Sequence, residues 1–301
     1  MKLKFLLFTV IILLLITSCQ YRYHMVTEEP YGKLYTDKQP NLALVLSGAG
    51  SKAIVHAGVI AAFEKNKIPI DLIVGSSAGA LVGLLYAEYQ NSHDVKNILI
   101  NAKRSDFLQG SPTRNILSAT LFNKAANFRY FNKFLDKNIK TKTFENLKTP
   151  LVVVATDVKH NKTKFYNAGP IYPAIISSCA IPGLYQPVKI GDDVLVDGGV
   201  ISPLPVETAL KFNPKITVAV NVISPPTSDE INNNFSMLYR VSWITYYKLS
   251  KMEENLATVS LNIDTSKYDW LDDLSVTDKE ELFKIGFDSA EKMIKENQKL
   301  F

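Results

Sequence analysis

Leu72-Ile73-Val74-Gly75-Ser76-Ser77-Ala78-Gly79-Ala80-Leu81-Val82-Gly83-Leu84-Leu85-Tyr86 decides the fold. Its first three residues read as a buried strand and its last seven as a helix, with a G-x-S-x-G turn joining them. Such a turn exposes the Ser77 hydroxyl and offers a developing anion the positive end of the following helix. Gly75 and Gly79 let the turn close and the helix pack against its strand. A serine hydroxyl is a poor nucleophile without a base. No histidine follows His160, so an order of Asp197 followed by histidine is impossible.

The same alternation extends outward. Leu42-Ala43-Leu44-Val45-Leu46 is an apolar run that ends in Ser47-Gly48-Ala49-Gly50-Ser51-Lys52, and residues 52–65 are helix-like. Residues 151–155, 194–196 and 216–222 read as further buried strands, and residues 170–178 as a short helix. This pattern predicts an α/β fold with a mainly parallel central sheet and helices on both faces. Residues 91–150 break it, being rich in Asn and Lys with Phe107, Phe122, Phe128, Phe131 and Phe134 among them. Phe128, Phe131 and Leu135 share a helical face, with Arg129, Lys133 and Lys137 repeating on another. We read this as a cap helix packed on the core with its cations in water; a helix lying on a lipid surface is the competing reading. The tail beyond 222 reads as mostly helical, with a short edge strand at Leu261 and Ile263.

Four histidines are available as bases. His24 lies in a polar N-terminal stretch, His56 inside a helix, and His93 and His160 in loop-like segments. Asp197 is the better candidate: it follows Val194-Leu195-Val196 and precedes Gly198-Gly199, so its carboxylate emerges at the end of a buried strand, where functional groups gather in open α/β sheets. An aspartate starting a Gly-Gly bend is the structural alternative. The glycine-rich segment after Leu46 offers backbone N–H groups to an oxyanion or a phosphate. It lacks the G-x-x-x-x-G-K-[ST] pattern, and Ala53 occupies the last glycine place of G-x-G-x-x-G, which weakens a nucleotide reading.

Together these segments resemble the patatin-like phospholipase family. The likeness covers residues 42–221 and rests on residues 47–53, 75–79 and Asp197-Gly198-Gly199 in the family's order, with Ala155-Thr156-Asp157, residues 177–183 and Gln186-Pro187-Val188 adding to it. It implies a three-layer sandwich and a lipid acyl hydrolase of the phospholipase A, lysophospholipase or esterase type, needing no cofactor or metal. Ser77 would be the nucleophile and Asp197 the general base, with Gly48, Ala49 and Gly50 forming the oxyanion hole. Gly75, Gly79, Lys52, Gly198 and Gly199 would support the motifs. Ser47, Ala49 and Ala53 replace three glycines of the family pattern. If any of those places needs φ > 0, the loop is strained or reshaped. An acyltransferase with the same pair and a non-catalytic lipid-binding lipoprotein remain alternatives.

The N-terminus bounds the setting. Lys2 and Lys4 precede an apolar stretch from 5 to 16 that is short for a membrane span and ends at Ile16-Thr17-Ser18-Cys19. That ending resembles a bacterial lipobox, which implies a signal peptide over 1–18 and lipidation of Cys19. Gln20 is compatible with outer-membrane sorting where a second membrane exists. Residues 19–40 read as a tether and 41–301 as the domain, with 91–150 a helical cap insert. The expected location is exported and membrane-anchored, with an acyl-ester lipid as substrate. Cys179 is then without a disulfide partner, and no Cys/His cluster has zinc spacing. A net charge of +5, two units of it from Lys2 and Lys4, is too small to argue for nucleic acid.

Overall fold

The computed structural model of the chain describes residues 23–26, 28–33, 39–108, 110, 125–225 and 234–301. Cys19, the leader before it and Phe122 lie outside the described residues. The described strands are β1 (His24–Met25), β2 (Leu42–Leu46), β3 (Leu72–Ser76), β4 (Leu151–Asp157), β5 (Lys162–Tyr166), β6 (Val188–Ile190), β7 (Asp193–Asp197), β8 (Ile216–Asn221) and β9 (Val259–Asn262). They form one sheet of order β1-β6-β7-β4-β3-β2-β8-β9, with β5 also pairing with β4. The helices are α1 (Ile54–Lys65), α2 (Ala78–Tyr89), α3 (Ser92–Asn101), α4 (Arg129–Asn138), α5 (Ile171–Ser178), α6 (Val206–Leu210), α7 (Asn234–Glu254) and α8 (Val276–Glu296).

Alternation along the strands divides the core into two layers. Leu42, Leu44, Leu46, Ile73, Val153 and Val220 face a large cluster shared with α1, α2, α5 and α8. Ala43, Val45, Leu72, Val74, Val152 and Val154 face a smaller one closed by Leu204, Val206, Ala209 and Phe212 around α6. Burial on both faces is why these strands read as continuous apolar runs. The result is an α/β three-layer sandwich.

The parallel part comprises β4, β3, β2, β8 and β9, paired in that order. β7 differs from the parallel expectation because it runs antiparallel to β4. β4 outruns its neighbour: Ser76, the last residue of β3, pairs with Val154, and residues 155–157 project beyond it. β7 returns along that overhang and sets Asp197 opposite Ala155. Its carboxylate therefore reaches the end of β3 from the opposite direction.

Two other segments are informative. Phe128, Phe131, Phe134 and Leu135 are buried, whereas Arg129, Lys133 and Lys137 are exposed. Phe107 packs against Phe131 and Phe134, so this cap faces the body of the protein. The stretch read as a tether is partly built into the fold. β1 pairs with β6, the His24 ring meets Phe128 edge-on, and Tyr31 bridges to Ala168. The edge of the β6–β7 arm offers unpaired backbone groups, and residues 24–25 satisfy part of it.

Candidate active site

Ser77 sits at the junction of β3 and α2 with φ 52° and ψ −125°. A non-glycine residue held there is strained by about 1–3 kcal/mol, and such strain persists only where the surroundings enforce it. The enforcing contacts are close. A Cβ on Gly75 would lie 2.6 Å from the backbone of Ala80. One on Gly79 would lie 2.4 Å and 2.5 Å from the carbonyls of Leu46 and Ser47. The Ser77 N–H donates to Ser178 Oγ (2.8 Å), and that hydroxyl donates to the Val154 carbonyl (2.6 Å), which ties the turn to β4 and α5. We expect Gly79→Ala to destabilise the fold by about 1–3 kcal/mol or more, since the added methyl meets backbone that cannot move aside. Urea unfolding measures this, and an unchanged midpoint would contradict the packing described.

The Ser77 hydroxyl donates to Asp197 Oδ2 at 2.6 Å, and Asp197 Oδ1 accepts from the Gly199 N–H at 2.8 Å. Both residues are buried. Burial pushes the Asp197 carboxyl up to about 6, opposed by the hydrogen bonds from Ser77 and Gly199. Gly198 leaves no room for a side chain, its Cβ position lying 2.3 Å from the Val154 carbonyl.

None of the four histidines hydrogen-bonds this pair among the described residues. His56 is fully buried with Nε2 on the Ser47 carbonyl (2.9 Å), and burial lowers its pKa to about 4. It props the glycine-rich loop. His160 is held by Asp157 at 2.6 Å. His24 packs on Phe128, and His93 lies in the first turn of α3.

In the glycine-rich loop, only Gly50 has a positive φ (56°). Ala49 (φ −140°) and Ala53 (φ −48°) occupy conformations open to any residue, so the alanine replacements impose no backbone strain. Gly48 departs from expectation. Its N–H donates to the Pro203 carbonyl (2.9 Å) and is committed to the fold. The N–H groups of Ala49, Gly50 and Ala78 donate to no backbone oxygen among the described residues. Lys52 is buried beneath Trp243, its ammonium 5.9 Å from the ring centre. Burial lowers its pKa to about 8, resisted by Asp269, Asp272 and Asp264. It packs the loop against the C-terminal region and takes no part in the Ser77 hydrogen bonds.

That region supplies contacts the sequence did not signal. The Ser51 N–H donates to the Trp270 carbonyl (2.8 Å). Tyr246 from α7 places its hydroxyl where a Cβ on Gly48 would lie, 1.9 Å away, and 2.9 Å from the corresponding position on Gly199. These two glycines make room for the phenol. Ser77 also opens into a cavity of about 470 Å³ lined by Ile54, Leu81, Leu99, Phe131 and Leu184, with Lys103, Arg104 and Lys279 among its polar residues. Chemically, the arrangement presents a hydroxyl on a carboxylate at one end of an apolar cavity, beside unpaired backbone N–H groups.

A family model described as Patatin-like phospholipase matches residues 44–210. The lysophospholipase NTE1 of Debaryomyces hansenii is 31% identical over 207 residues, which is 68% of this chain and 13% of that protein. Patatin-like phospholipase domain-containing protein 6 of Homo sapiens is 28% identical over 62% of this chain and 14% of its own length. An uncharacterized NTE family protein of Mycobacterium bovis is 31% identical over 61% of this chain and 49% of its own. The chain thus spans half or less of these relatives. Among solved structures, VipD from Legionella pneumophila superposes with a TM-score of 0.50 at 15% identity, covering 92% of this chain and 71% of that one.

Proposed function

Because the chain belongs to the patatin-like phospholipase family, we propose that it is a lipid acyl hydrolase in which Ser77 is the nucleophile and Asp197 the base. The observation that carries this reading is the 2.6 Å hydrogen bond from Ser77 Oγ to Asp197 Oδ2 beside an apolar cavity. Ser77 Oγ attacks the ester carbonyl carbon as its proton passes to Asp197. The carbonyl oxygen gains the charge and is held by the N–H groups of Ala49, Gly50 and Ala78 at the start of α2. Collapse breaks the bond to the alcohol oxygen, which takes the proton from Asp197 and leaves. Water then gives a proton to Asp197 and attacks the acyl-serine; collapse breaks the bond to Ser77 Oγ, which takes the proton back from Asp197, and the fatty acid leaves. Each step is served by Ser77, Asp197 and backbone, so a chelator should leave turnover unchanged.

The test is fatty-acid release from phosphatidylcholine, lysophosphatidylcholine and p-nitrophenyl esters by purified protein. Release of free acid supports hydrolysis. Transfer of the acyl group to another alcohol without free acid would replace the hydrolase with an acyltransferase, and no Ser77-dependent product at all would reject the reading.

A base titrating at about 6 sets the pH dependence. Asp197 accepts a proton only when ionised, so kcat/KM on a soluble ester should rise with pH through about 6 and level off above it. A profile flat from pH 5 to 8 would remove Asp197 from the base role.

We also propose export and lipid anchoring through Cys19. Four residues separate Cys19 from β1, so an anchored domain would sit within about 18 Å of its lipid. Radiolabelled palmitate should enter the wild-type chain in a bacterial host and not Cys19→Ala. Equal labelling of both would refute the anchor.

A further inference from the structure

Helix α7 is two-sided. Trp243 and Tyr246 face the body, where Trp243 stacks on Tyr246 (5.3 Å) and Trp270 (6.2 Å) and donates from Nε1 to the Ser224 carbonyl (3.1 Å). Ser250 and Glu253 fasten the C-terminal half to Asn221 and Ser202. On the opposite side, Met237, Leu238, Val241, Ile244 and Met252 fall within one arc at helical spacing, and all are exposed, Leu238 by 67% and Met252 by 68%. Five large apolar side chains in a row on a surface mark a binding site.

We propose that this ridge of α7 docks on an anionic lipid surface and brings the Ser77–Asp197 pair to it. The proposal rests on the lipid-hydrolase reading above. Three observations select lipid as the occupant. The ridge carries Lys248 in its arc, while the two carboxylates of α7 are drawn inward or neutralised, Glu253 on Ser202 and Glu254 between Asn221 and Lys251. The outward face is therefore apolar and cationic, the combination that holds a helix at an anionic interface. No helix among the described residues is long and apolar enough to cross a membrane, so α7 would lie on the surface. The inward face of the same helix lodges Tyr246 against Gly48 and Gly199, which adjoin Ser77 and Asp197.

The test uses the chain without residues 1–19, so that neither the apolar leader nor a lipid anchor contributes and the buried Cys179 is the sole remaining thiol. An environment-sensitive fluorophore on Val241→Cys should shift to the blue and brighten when phosphatidylglycerol vesicles are added. The same fluorophore on Lys292→Cys, exposed on α8, should not respond. In parallel, Val241→Asp with Ile244→Asp should lower turnover of vesicle phospholipid about tenfold or more and leave a soluble short-chain ester within about twofold. The proposal is overturned by a silent Val241 probe, by equal responses at both sites, or by undiminished vesicle turnover in the double variant. A shift produced by raising protein concentration without vesicles would assign the ridge to a second copy of the chain, and also overturns it. Failure of the hydrolase reading looks different: the wild type would turn over neither substrate, while the fluorophore would still report whether the ridge meets lipid.

Discussion

Ser77→Ala is expected to lower ester turnover by about four orders of magnitude or more while the chain stays folded. The loss is large because the variant removes the atom that forms the acyl intermediate, and no other hydroxyl hydrogen-bonds Asp197 among the described residues. The cavity and the loop N–H groups remain, so substrate binding should survive and the defect should appear in kcat more than in KM. Folding should change little. Alanine removes one hydrogen bond to a buried carboxylate and keeps the same strained backbone (φ 52°). Ser77→Gly separates the two effects. It should be equally inactive yet more stable than Ser77→Ala, because glycine adopts positive φ without penalty. Steady-state kinetics and urea unfolding of the three proteins decide this. Substantial activity in either variant would move the chemistry away from Ser77.

Asp197→Asn is expected to lower turnover by about three orders of magnitude, near the upper end of what a positioned base contributes. Asparagine keeps the local geometry. Its carbonyl can accept from the Gly199 N–H (2.8 Å) and its amide can donate to Ser77 Oγ (2.6 Å), but it cannot take the serine proton. The same variant should stabilise the fold in a pH-dependent way. The Asp197 pKa is raised in the folded state, from an ordinary 3.8 to about 6. Folding therefore favours the protonated form. The carboxyl's contribution is fully present below pH 4 and is lost as pH rises through about 6. Two units of pKa correspond to about 3 kcal/mol. Asp197→Asn avoids that loss, so its unfolding midpoint should exceed the wild type's at pH 8, with the gap closing toward pH 4. A gap of constant size would mean that burial of charge is not what shifts Asp197.

How much of this was legible depends on the range of each interaction. β2, β3, β4 and β8 could be read because burial on both faces leaves unbroken apolar runs. β5, where Lys162-Thr163-Lys164 precede Phe165-Tyr166, and the three-residue β6 gave no such run. The direction of β7 was not readable, because Val194-Leu195-Val196 looks the same in a parallel or an antiparallel pair. Chain order placed Ser77 and Asp197 as candidates, and the structure brings them within hydrogen-bond distance. The loop contacts were out of reach. The Gly48 N–H is claimed by Pro203, 155 positions away in the sequence, and nothing local foretells it. Tyr246 and Trp270 lie beyond the stretch that carries the family motifs, and a tyrosine on an amphipathic helix has no signature until the glycines opposite it are seen. Their only trace was indirect: Gly48 and Gly199 are glycines for a steric reason as well as a conformational one.

The central claim is that Ser77 becomes covalently modified and that Asp197 activates it. Its most direct test is the mass of the peptide bearing Ser77 after exposure to an alkyl fluorophosphonate. The expected result is a single phosphonyl adduct on Ser77 in the wild type, formed about a hundredfold more slowly in Asp197→Asn. An adduct on another residue, no adduct at all, or the same rate in Asp197→Asn would contradict it.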